Sequence, residues 1–187
     1  APDGVSREQT FSYQRFVLEF LLLCRMAAVG AGKGAPAGID GRLRASLRFL
    51  GAVMDASGRQ PLVGDGDDGC VVRFGHGPSF SPLRSVLVAC GRTLGVAPQL
   101  PASDVDQQAA RWLHGGAASE PATAPDAAGA QGGLAFPDGG YYLLGDAGPR
   151  ADAVRMLVDA GPLGYLSIAA HGHADALAVT LSVHGRD

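Results

Sequence analysis

The sequence contains little cysteine. Its 187 residues include three, Cys24, Cys70 and Cys90, and no two of them form a Cys-x-x-Cys pair. An odd number of scattered cysteines argues against a fold built on a disulfide framework. Cys24 and Cys90 fall in apolar stretches with helical periodicity, where a reduced and buried thiol is the usual state.

An excess of positive charge and long apolar runs are also absent. The chain has 15 basic and 18 acidic residues, for a formal net charge of -3. This balance gives no electrostatic signal for a nucleic-acid partner. The longest apolar run, residues 20–24, is far too short to span a bilayer. The sequence also lacks an initiator methionine, so we expect the chain to be a piece of a longer protein. No signal peptide is visible in it. The sequence gives no indication of the oligomeric state.

Helical periodicity dominates the first part of the chain. Between Ser6 and Val29, apolar side chains recur at spacings of three and four, which predicts a helix. Ser6 and Gln9 have the spacing of a capping box, and glycines from Gly30 onward end the helix. The predicted buried stripe consists of Tyr13, Phe16, Val17, Phe20, Leu21, Cys24, Ala27 and Ala28. It is widened by Leu18, Leu22 and Leu23, so we expect the helix to be covered on more than one side.

Three further helices follow the same pattern. They are predicted over residues 39–55, 82–94 and 104–113, the third of these beginning after Ser103 as its cap. Ser81 is the expected cap of the helix over residues 82–94. We assign all four helices to one helical domain, residues 1–116.

A loop rich in glycine and carboxylates separates the second and third predicted helices. It covers residues 55–69 and ends in VGDGDDG, residues 63–69. Oxygen ligands at alternating positions could bind calcium, but the twelve-residue EF-hand pattern and its closing glutamate are missing. We therefore interpret the loop as a solvated turn that helps to shape a cleft.

The periodicity changes after residue 116. Residues 117–132 are rich in alanine, proline and glycine, which is typical of a linker. Residues 133–187 then show short alternating runs that predict a hairpin over 134–144 and a strand over 154–158. The chain as a whole is therefore predicted to be α+β, with helices followed by the start of an antiparallel sheet or sandwich.

Two histidines and a carboxylate form the densest group of reactive side chains. His171, His173 and Asp175 lie between two further predicted strands, over residues 166–170 and 177–183. An extended backbone would place the three side chains on one face, because strand side chains alternate. Imidazole is both a proton carrier near neutral pH and a common metal ligand. The pattern therefore favours a functional site over a solvated strand.

The order of these features resembles the heparinase II/III-like polysaccharide lyases. The likeness covers nearly the whole chain, and its most specific part is HGHADAL, residues 171–177, after FPDGGYY at 136–142. Residues 8–14 (EQTFSYQ) resemble the family's helix with its catalytic tyrosine, and residues 63–69 resemble its Gly-Asp loop. In that family an (α/α) toroid packs against an antiparallel β-sandwich, so the resemblance implies a partial toroid in residues 1–116.

The resemblance also implies an activity and a set of site residues. The activity is β-elimination of acidic, uronate-containing polysaccharide, with Tyr13 and His171 as the acid and base pair. Asp65 and Asp68 would bind substrate, and His173 would coordinate one structural divalent metal, zinc in some members, with the remaining ligands outside this chain. A periplasmic or secreted location is implied. Since the family's Asn-His segment and a further acidic residue have no match here, we expect residues 1–187 alone to be inactive.

The required chemistry agrees with these residue types. β-Elimination needs a base for the proton at C5 of the uronate, a partner for its carboxylate and an acid for the leaving oxygen. Free tyrosine has a pKa of about 10 and histidine one of about 6.5, so histidine can act as a base without help. We expect Tyr13 to protonate the leaving oxygen and His171 to be the base or the carboxylate neutraliser. Without the resemblance, Tyr13 would be interpreted as a buried aromatic of the helix stripe.

Two other functions remain open. Metallo-hydrolases of the metallo-β-lactamase type carry His-x-His-x-Asp-His after a strand, whereas here Ala176 occupies the last position and helices come first. A non-catalytic glycan-binding protein of the same fold would be separated from a lyase only by an assay, because fold does not determine function.

Overall fold

The computed structural model describes residues 1–55, 57–98, 100, 106–115, 133–146, 152–172 and 175–184. These residues form four α-helices followed by a four-stranded antiparallel sheet, which confirms the predicted α+β class. The helices are α1 (Phe11–Gly30), α2 (Ile39–Val53), α3 (Pro82–Leu94) and α4 (Gln108–Leu113). The strands are β1 (Leu134–Phe136), β2 (Tyr141–Gly145), β3 (Val154–Asp159) and β4 (Val179–Val183). The predicted linker, residues 117–132, lies outside the described residues, and the domain boundaries stay predictions.

The helices lie where the periodicity places them, but two of their starts differ. Helix α3 begins after Ser81, whose hydroxyl accepts a hydrogen bond from the Arg84 amide, as predicted. Helix α1 begins at Phe11, so the capping box at Ser6 is wrong. The backbone at Gln9 has a φ of 54°, which breaks any helix continuing from Ser6. Helix α4 begins at Gln108, while the predicted cap Ser103 lies outside the described residues.

The buried face of α1 includes Leu18 and Leu22, which widen the predicted stripe, but not the centre of that stripe. Phe16, Val17 and Phe20 are 40%, 38% and 52% exposed, and Cys24 is exposed as well. The buried residues are Phe11, Ser12, Gln14, Arg15, Leu18, Glu19 and Leu22. More than half of them are polar, since this face of α1 lies against the backbone of the loop before α3 and of Gly4 and Ser6. Cys90 is buried as predicted, and burial raises the pKa of its thiol to about 12.

Polar groups of α1 hold that loop. The Arg15 guanidinium donates to the carbonyl oxygen of Gly69. The Glu19 carboxylate accepts hydrogen bonds from the amides of Val71, at 2.9 Å, and Val72, at 3.2 Å. Buried charged groups are tolerated when hydrogen bonds satisfy them, so a polar face on α1 can be an interior face.

Four aromatic rings join the helices to the sheet. Phe11 of α1 and Phe49 of α2 pack edge to face with centroids 5.5 Å apart. Phe49 lies 4.9 Å from Phe136 of β1, and Phe11 lies 5.3 Å from Tyr141 of β2. Aromatic pairs at these distances add to the stabilisation from burial. The helices and the first hairpin therefore share one core.

The strands follow each other in the order β1-β2-β3-β4, each antiparallel to the next. The hairpin and the strands predicted over 154–158 and 177–183 are confirmed. The strand predicted over 166–170 is wrong, because Leu166–Ile168 forms a short 3-10 helix and Ala169 has a φ of 49°. The Tyr165 amide donates to the Ala170 carbonyl at 2.8 Å and closes this segment into a tight turn.

The two faces of the sheet differ in what covers them. Alternate residues Tyr141, Leu143 and Leu157 are buried toward the helices. The opposite face is apolar and exposed, and consists of Tyr142, Leu144, Val154, Val179, Leu181 and Val183. Such a face is typical of a sheet that belongs to a sandwich.

Candidate active site

The candidate site forms where the Gly-Asp loop meets the start of α1. The Phe11 amide donates to the carbonyl oxygen of Val63. The hydroxyls of Thr10 and Ser12 donate to the carbonyl oxygen of Asp65, at 2.8 Å and 2.6 Å. Because Thr10 gives its side chain to this contact, it does not cap α1. These bonds fix Val63 and Asp65 against the helix.

The same loop is held from its other side by the histidine motif. The Asp65 amide donates to the carbonyl oxygen of His171 at 3.0 Å. His171 Nδ1 lies 2.8 Å from Asp65 Oδ2, and the Gly64 amide donates to the Asp175 carboxylate. The loop therefore connects the helical part of the chain to the segment after β3.

Gly64 makes this connection possible. Its φ is 67°, which a glycine adopts at little cost. A Cβ at this position would lie 2.6 Å from the carbonyl oxygen of His171 and 2.7 Å from that of Gln9. The backbone at Gly64 therefore leaves no room for a side chain.

The predicted geometry of the histidine motif is wrong in one respect. His171 has a φ of 68°, and the Asp175 carbonyl accepts a hydrogen bond from the Ala178 amide in a turn, so neither residue has the extended backbone that the prediction requires. His171 and Asp175 instead converge on the Gly64 and Asp65 backbone. His173 lies outside the described residues, and its relation to the other two stays a prediction.

Tyr13 and His171, the two predicted catalytic residues, lie in contact. Their ring centroids are 4.7 Å apart with the ring planes inclined by 50°. Tyr13 is in the first turn of α1 and is partly exposed. Partial burial, together with the nearby carboxylates of Asp67 and Asp65, raises the pKa of Tyr13 above its usual value. Tyr13 therefore carries its proton at neutral pH and is able to donate it.

The two predicted substrate-binding carboxylates have different surroundings. Asp65 is turned to His171, and both side chains are 35% exposed. Asp68 is exposed further along the loop. Substrate binding by Asp65 and Asp68 stays a prediction.

An open cleft of about 880 Å³ adjoins the loop. We call it the arginine groove, because its lining includes Arg15, Arg59, Arg73 and Arg84, together with Asp67 and Asp68. Arg84 is held by Asp106 at 2.9 Å and by the Ser57 and Ser79 carbonyls. The sequence gives no indication of this groove, since its arginines are spread over about 70 residues and form no motif.

Asp67 connects the groove to Tyr13. It is a neighbour of the Tyr13 hydroxyl, where it contributes to the raised pKa, and it also lines the groove. An anionic chain lying in the groove would therefore pass close to the Tyr13 and His171 pair.

A metal site is not assembled by the described part of the chain. Among those residues there is no group of three histidine, cysteine or acidic side chains placed to hold an ion. The Asp175 carboxylate is occupied by the Gly64 amide, and His171 Nδ1 by Asp65. Since the described donors do not fit a metal, we derive no step through one, and coordination by His173 stays a prediction.

No helix in the described ranges is long and apolar enough to cross a membrane. This agrees with the sequence, whose apolar runs are short.

Comparison with known proteins gives one match. Residues 128–187 match the family model described as Heparinase II/III-like, C-terminal. No curated protein and no solved structure matches the chain. The matched segment contains β1 to β4 and the histidine motif, and the C-terminal domain of this family is a β-sandwich, which agrees with the exposed apolar face of the sheet. The resemblance found in the sequence is thus confirmed over residues 128–187, about the last third of the chain, which match the C-terminal domain model of the heparinase II/III-like family.

Proposed function

We propose that the intact protein is a polysaccharide lyase that cleaves uronate-containing polysaccharide by β-elimination. The observation that carries this proposal is the contact between Tyr13 and His171, at 4.7 Å between ring centroids. A protonated phenol beside an imidazole supplies an acid and a base within reach of one sugar ring. The match of residues 128–187 to a lyase family supports the same reaction class.

The reaction needs two proton transfers. His171 Nε2 takes the proton from C5 of the uronate, and the electron pair of the C5–H bond forms the C4–C5 double bond. The C4–O bond breaks, and Tyr13 gives its proton to the departing oxygen. Transfer of the proton from the imidazolium to the phenolate then restores both residues. In the alternative role, the imidazolium of His171 neutralises the substrate carboxylate.

The arginine groove supports an acidic substrate. Guanidinium groups bind carboxylates and sulfates through paired hydrogen bonds. Four arginines line the groove together with the carboxylates of Asp67 and Asp68, and two of them, Arg59 and Arg84, are also paired with Asp55 and Asp106. Asp68 would contact sugar hydroxyls, since a carboxylate repels a uronate but accepts hydrogen bonds from hydroxyls.

The reaction class is tested by its product. Elimination creates a double bond conjugated to the uronate carboxylate, which absorbs in the ultraviolet, whereas hydrolysis creates none. We expect the full-length protein to release absorbing products from uronate-containing polysaccharides and none from neutral ones. Shortened acidic chains without that absorbance would identify a hydrolase, and binding without cleavage would identify a glycan-binding protein.

Tyr13 is tested by Tyr13→Phe, which removes one hydroxyl. Loss of a general acid lowers kcat by about 100-fold or more. Tyr142→Phe is the matched control, because Tyr142 lies on the exposed face of the sheet away from the helices. If Tyr13→Phe kept full activity, Tyr13 would have no chemical role and would be an ordinary aromatic residue of α1. His171→Ala is expected to lose activity similarly, with exposed His76→Ala as its control.

The metal ligand and the location are part of the same proposal. We expect His173→Ala to lower the metal content and the thermal stability of the full-length protein together, because a metal bound to the folded state stabilises it. Elemental analysis that finds no metal in the wild type would remove this role. A periplasmic or secreted location fits an enzyme that acts on polysaccharide, and detection of the protein outside the cytoplasm would test it.

A further inference from the structure

The hydrogen bond between Asp65 and His171 has a consequence for the base. An ionised carboxylate only accepts hydrogen bonds, so the ring nitrogen that lies 2.8 Å from Asp65 Oδ2, Nδ1, carries the proton. In the neutral imidazole the lone pair is then on Nε2, and Nε2 is the ring atom that can accept a proton.

Asp65 itself is held in place by bonds that do not involve its carboxylate. Its amide donates to the His171 carbonyl at 3.0 Å, so the two residues are joined at two points. Its carbonyl accepts from Thr10 and Ser12, both of which are buried at the start of α1. The carboxylate therefore projects from a fixed backbone toward a fixed partner.

The backbone of His171 provides a second, independent observation. Its φ of 68° lies in the left-handed region, which is unfavourable for a residue with a side chain. Such a conformation persists when the surroundings hold it, and it is common at functional sites. Here the Asp65 amide holds the His171 carbonyl, and the Asp65 carboxylate holds the ring.

We propose that Asp65 is a positioning residue, which fixes His171 in the tautomer and orientation that present Nε2 as the base. This inference rests on the proposed lyase function and replaces direct substrate binding as the role of Asp65. Serine hydrolases contain an Asp and His pair in which the carboxylate orients the imidazole without taking its proton.

The first test measures the tautomer of the His171 ring directly. The full-length protein is labelled with ¹⁵N at histidine, and the His171 signals are assigned from the spectrum of His171→Ala. We expect the wild type to carry its proton on Nδ1 and Asp65→Ala to show a mixture of tautomers. A wild-type ring with its proton on Nε2, or an unchanged ring in Asp65→Ala, would overturn the proposal.

The second test measures kcat and KM of the Asp65 variants. Misplacing a catalytic group can cost up to about 100-fold, so we expect kcat of Asp65→Ala to fall by about 10- to 100-fold with KM nearly unchanged. The side-chain amide introduced by Asp65→Asn can accept from Nδ1–H or donate to a bare Nδ1. We expect kcat of this variant to follow whichever tautomer its spectrum shows. A variant in which tautomer and kcat change separately would contradict a positioning role.

Two controls separate the possible failures. Asp138→Ala removes an exposed carboxylate in the turn between β1 and β2 and is expected to change neither the spectrum nor kcat. Thermal unfolding shows whether each Asp65 variant is folded. If no protein in the series forms unsaturated product, the lyase function is wrong, whereas a producing wild type with an unaffected Asp65→Ala refutes only the role of Asp65.

Discussion

Tyr13 has surroundings that favour its protonated form. Partial burial raises the pKa of Tyr13, and the carboxylates of Asp67 and Asp65 act in the same direction because they oppose a negative charge on the phenol. At neutral pH a phenol with this raised pKa is almost always protonated. It could therefore rarely act as a base, whereas it can almost always act as an acid. The structure therefore supports the assignment of Tyr13 as the acid and His171 as the base.

A pH profile checks this assignment. An acid must be protonated to act, so the raised pKa of Tyr13 moves the alkaline loss of kcat to higher pH than an unperturbed tyrosine would give. Asp67→Asn removes one of the carboxylates that raise the pKa, and we expect the alkaline limb to move to lower pH. The comparison uses kcat, because Asp67 also lines the arginine groove and its loss can change KM. If the alkaline limb of the kcat profile did not move in Asp67→Asn, Tyr13 would not be the acid that titrates there.

At the scale of the element, α1 shows how much of a buried helix face can be predicted from apolar periodicity. Its apolar residues cover most of its surface, so the sequence contains two possible buried faces. The face with Leu18 and Leu22 is interior because Arg15 and Glu19 on that face find backbone partners in the loop. No local pattern indicates such long-range partners, and the stripe with Phe16 and Phe20 was therefore a reasonable but wrong prediction.

Matched substitutions in α1 measure this difference. Leu18 is 1% exposed and Phe20 is 52% exposed. Leu18→Ala leaves a cavity and is expected to lower the free energy of unfolding by about 2–5 kcal/mol. Phe20→Ala removes the larger side chain, yet we expect a loss below about 1 kcal/mol, because substitutions at exposed positions cost little. Denaturant unfolding of both variants checks this order, and a larger loss for Phe20→Ala would restore the predicted stripe.

The other elements show where sequence patterns suffice. Helix α3 has strong local signals, a serine cap and a glycine end, and its bounds agree with the prediction. The hairpin and the later strands are likewise specified by alternation and turn residues. The segment before His171 fails because Leu166, Ala169 and His171 all adopt positive φ. Of these residues, His171 is held by the distant Asp65 amide, and the apolar residues before it give no indication of a positive φ.

At the scale of the whole molecule, the Gly-Asp loop is the joint between helices and sheet. The resemblance placed Tyr13, His171 and this loop in one site, and the contact of Tyr13 with His171 agrees with it. The bonds of Asp65 to His171 and of Gly64 to Asp175 could not be predicted, since the partners lie 106 and 111 residues apart in the sequence. Spacing rules apply within an element and do not reach across such distances.

Gly64→Ala tests the joint. The new Cβ would lie 2.6 Å from the His171 carbonyl and 2.7 Å from Thr10 Cβ, at a φ that disfavours alanine. Backbone strain of this kind costs about 1–3 kcal/mol, and we expect a loss of at least that size. Gly66→Ala is the control, because its Cβ would meet only Leu62 Cδ1, at an ordinary 3.5 Å. Equal stability of the two variants, measured by thermal unfolding, would show that the joint tolerates a shift of the loop.

The span of this joint also sets an order of events during synthesis. The Gly64 and Asp65 backbone leaves the ribosome with α1 and α2, while His171 follows 106 residues later. At about 5–20 residues per second, the delay is roughly 5–20 s. During that time Tyr13 already has its helix, but the loop has no His171 carbonyl or Asp175 carboxylate to bind. The contact between Tyr13 and His171 is therefore completed only after β3 has been made, and the nascent helical part lacks the assembled candidate site.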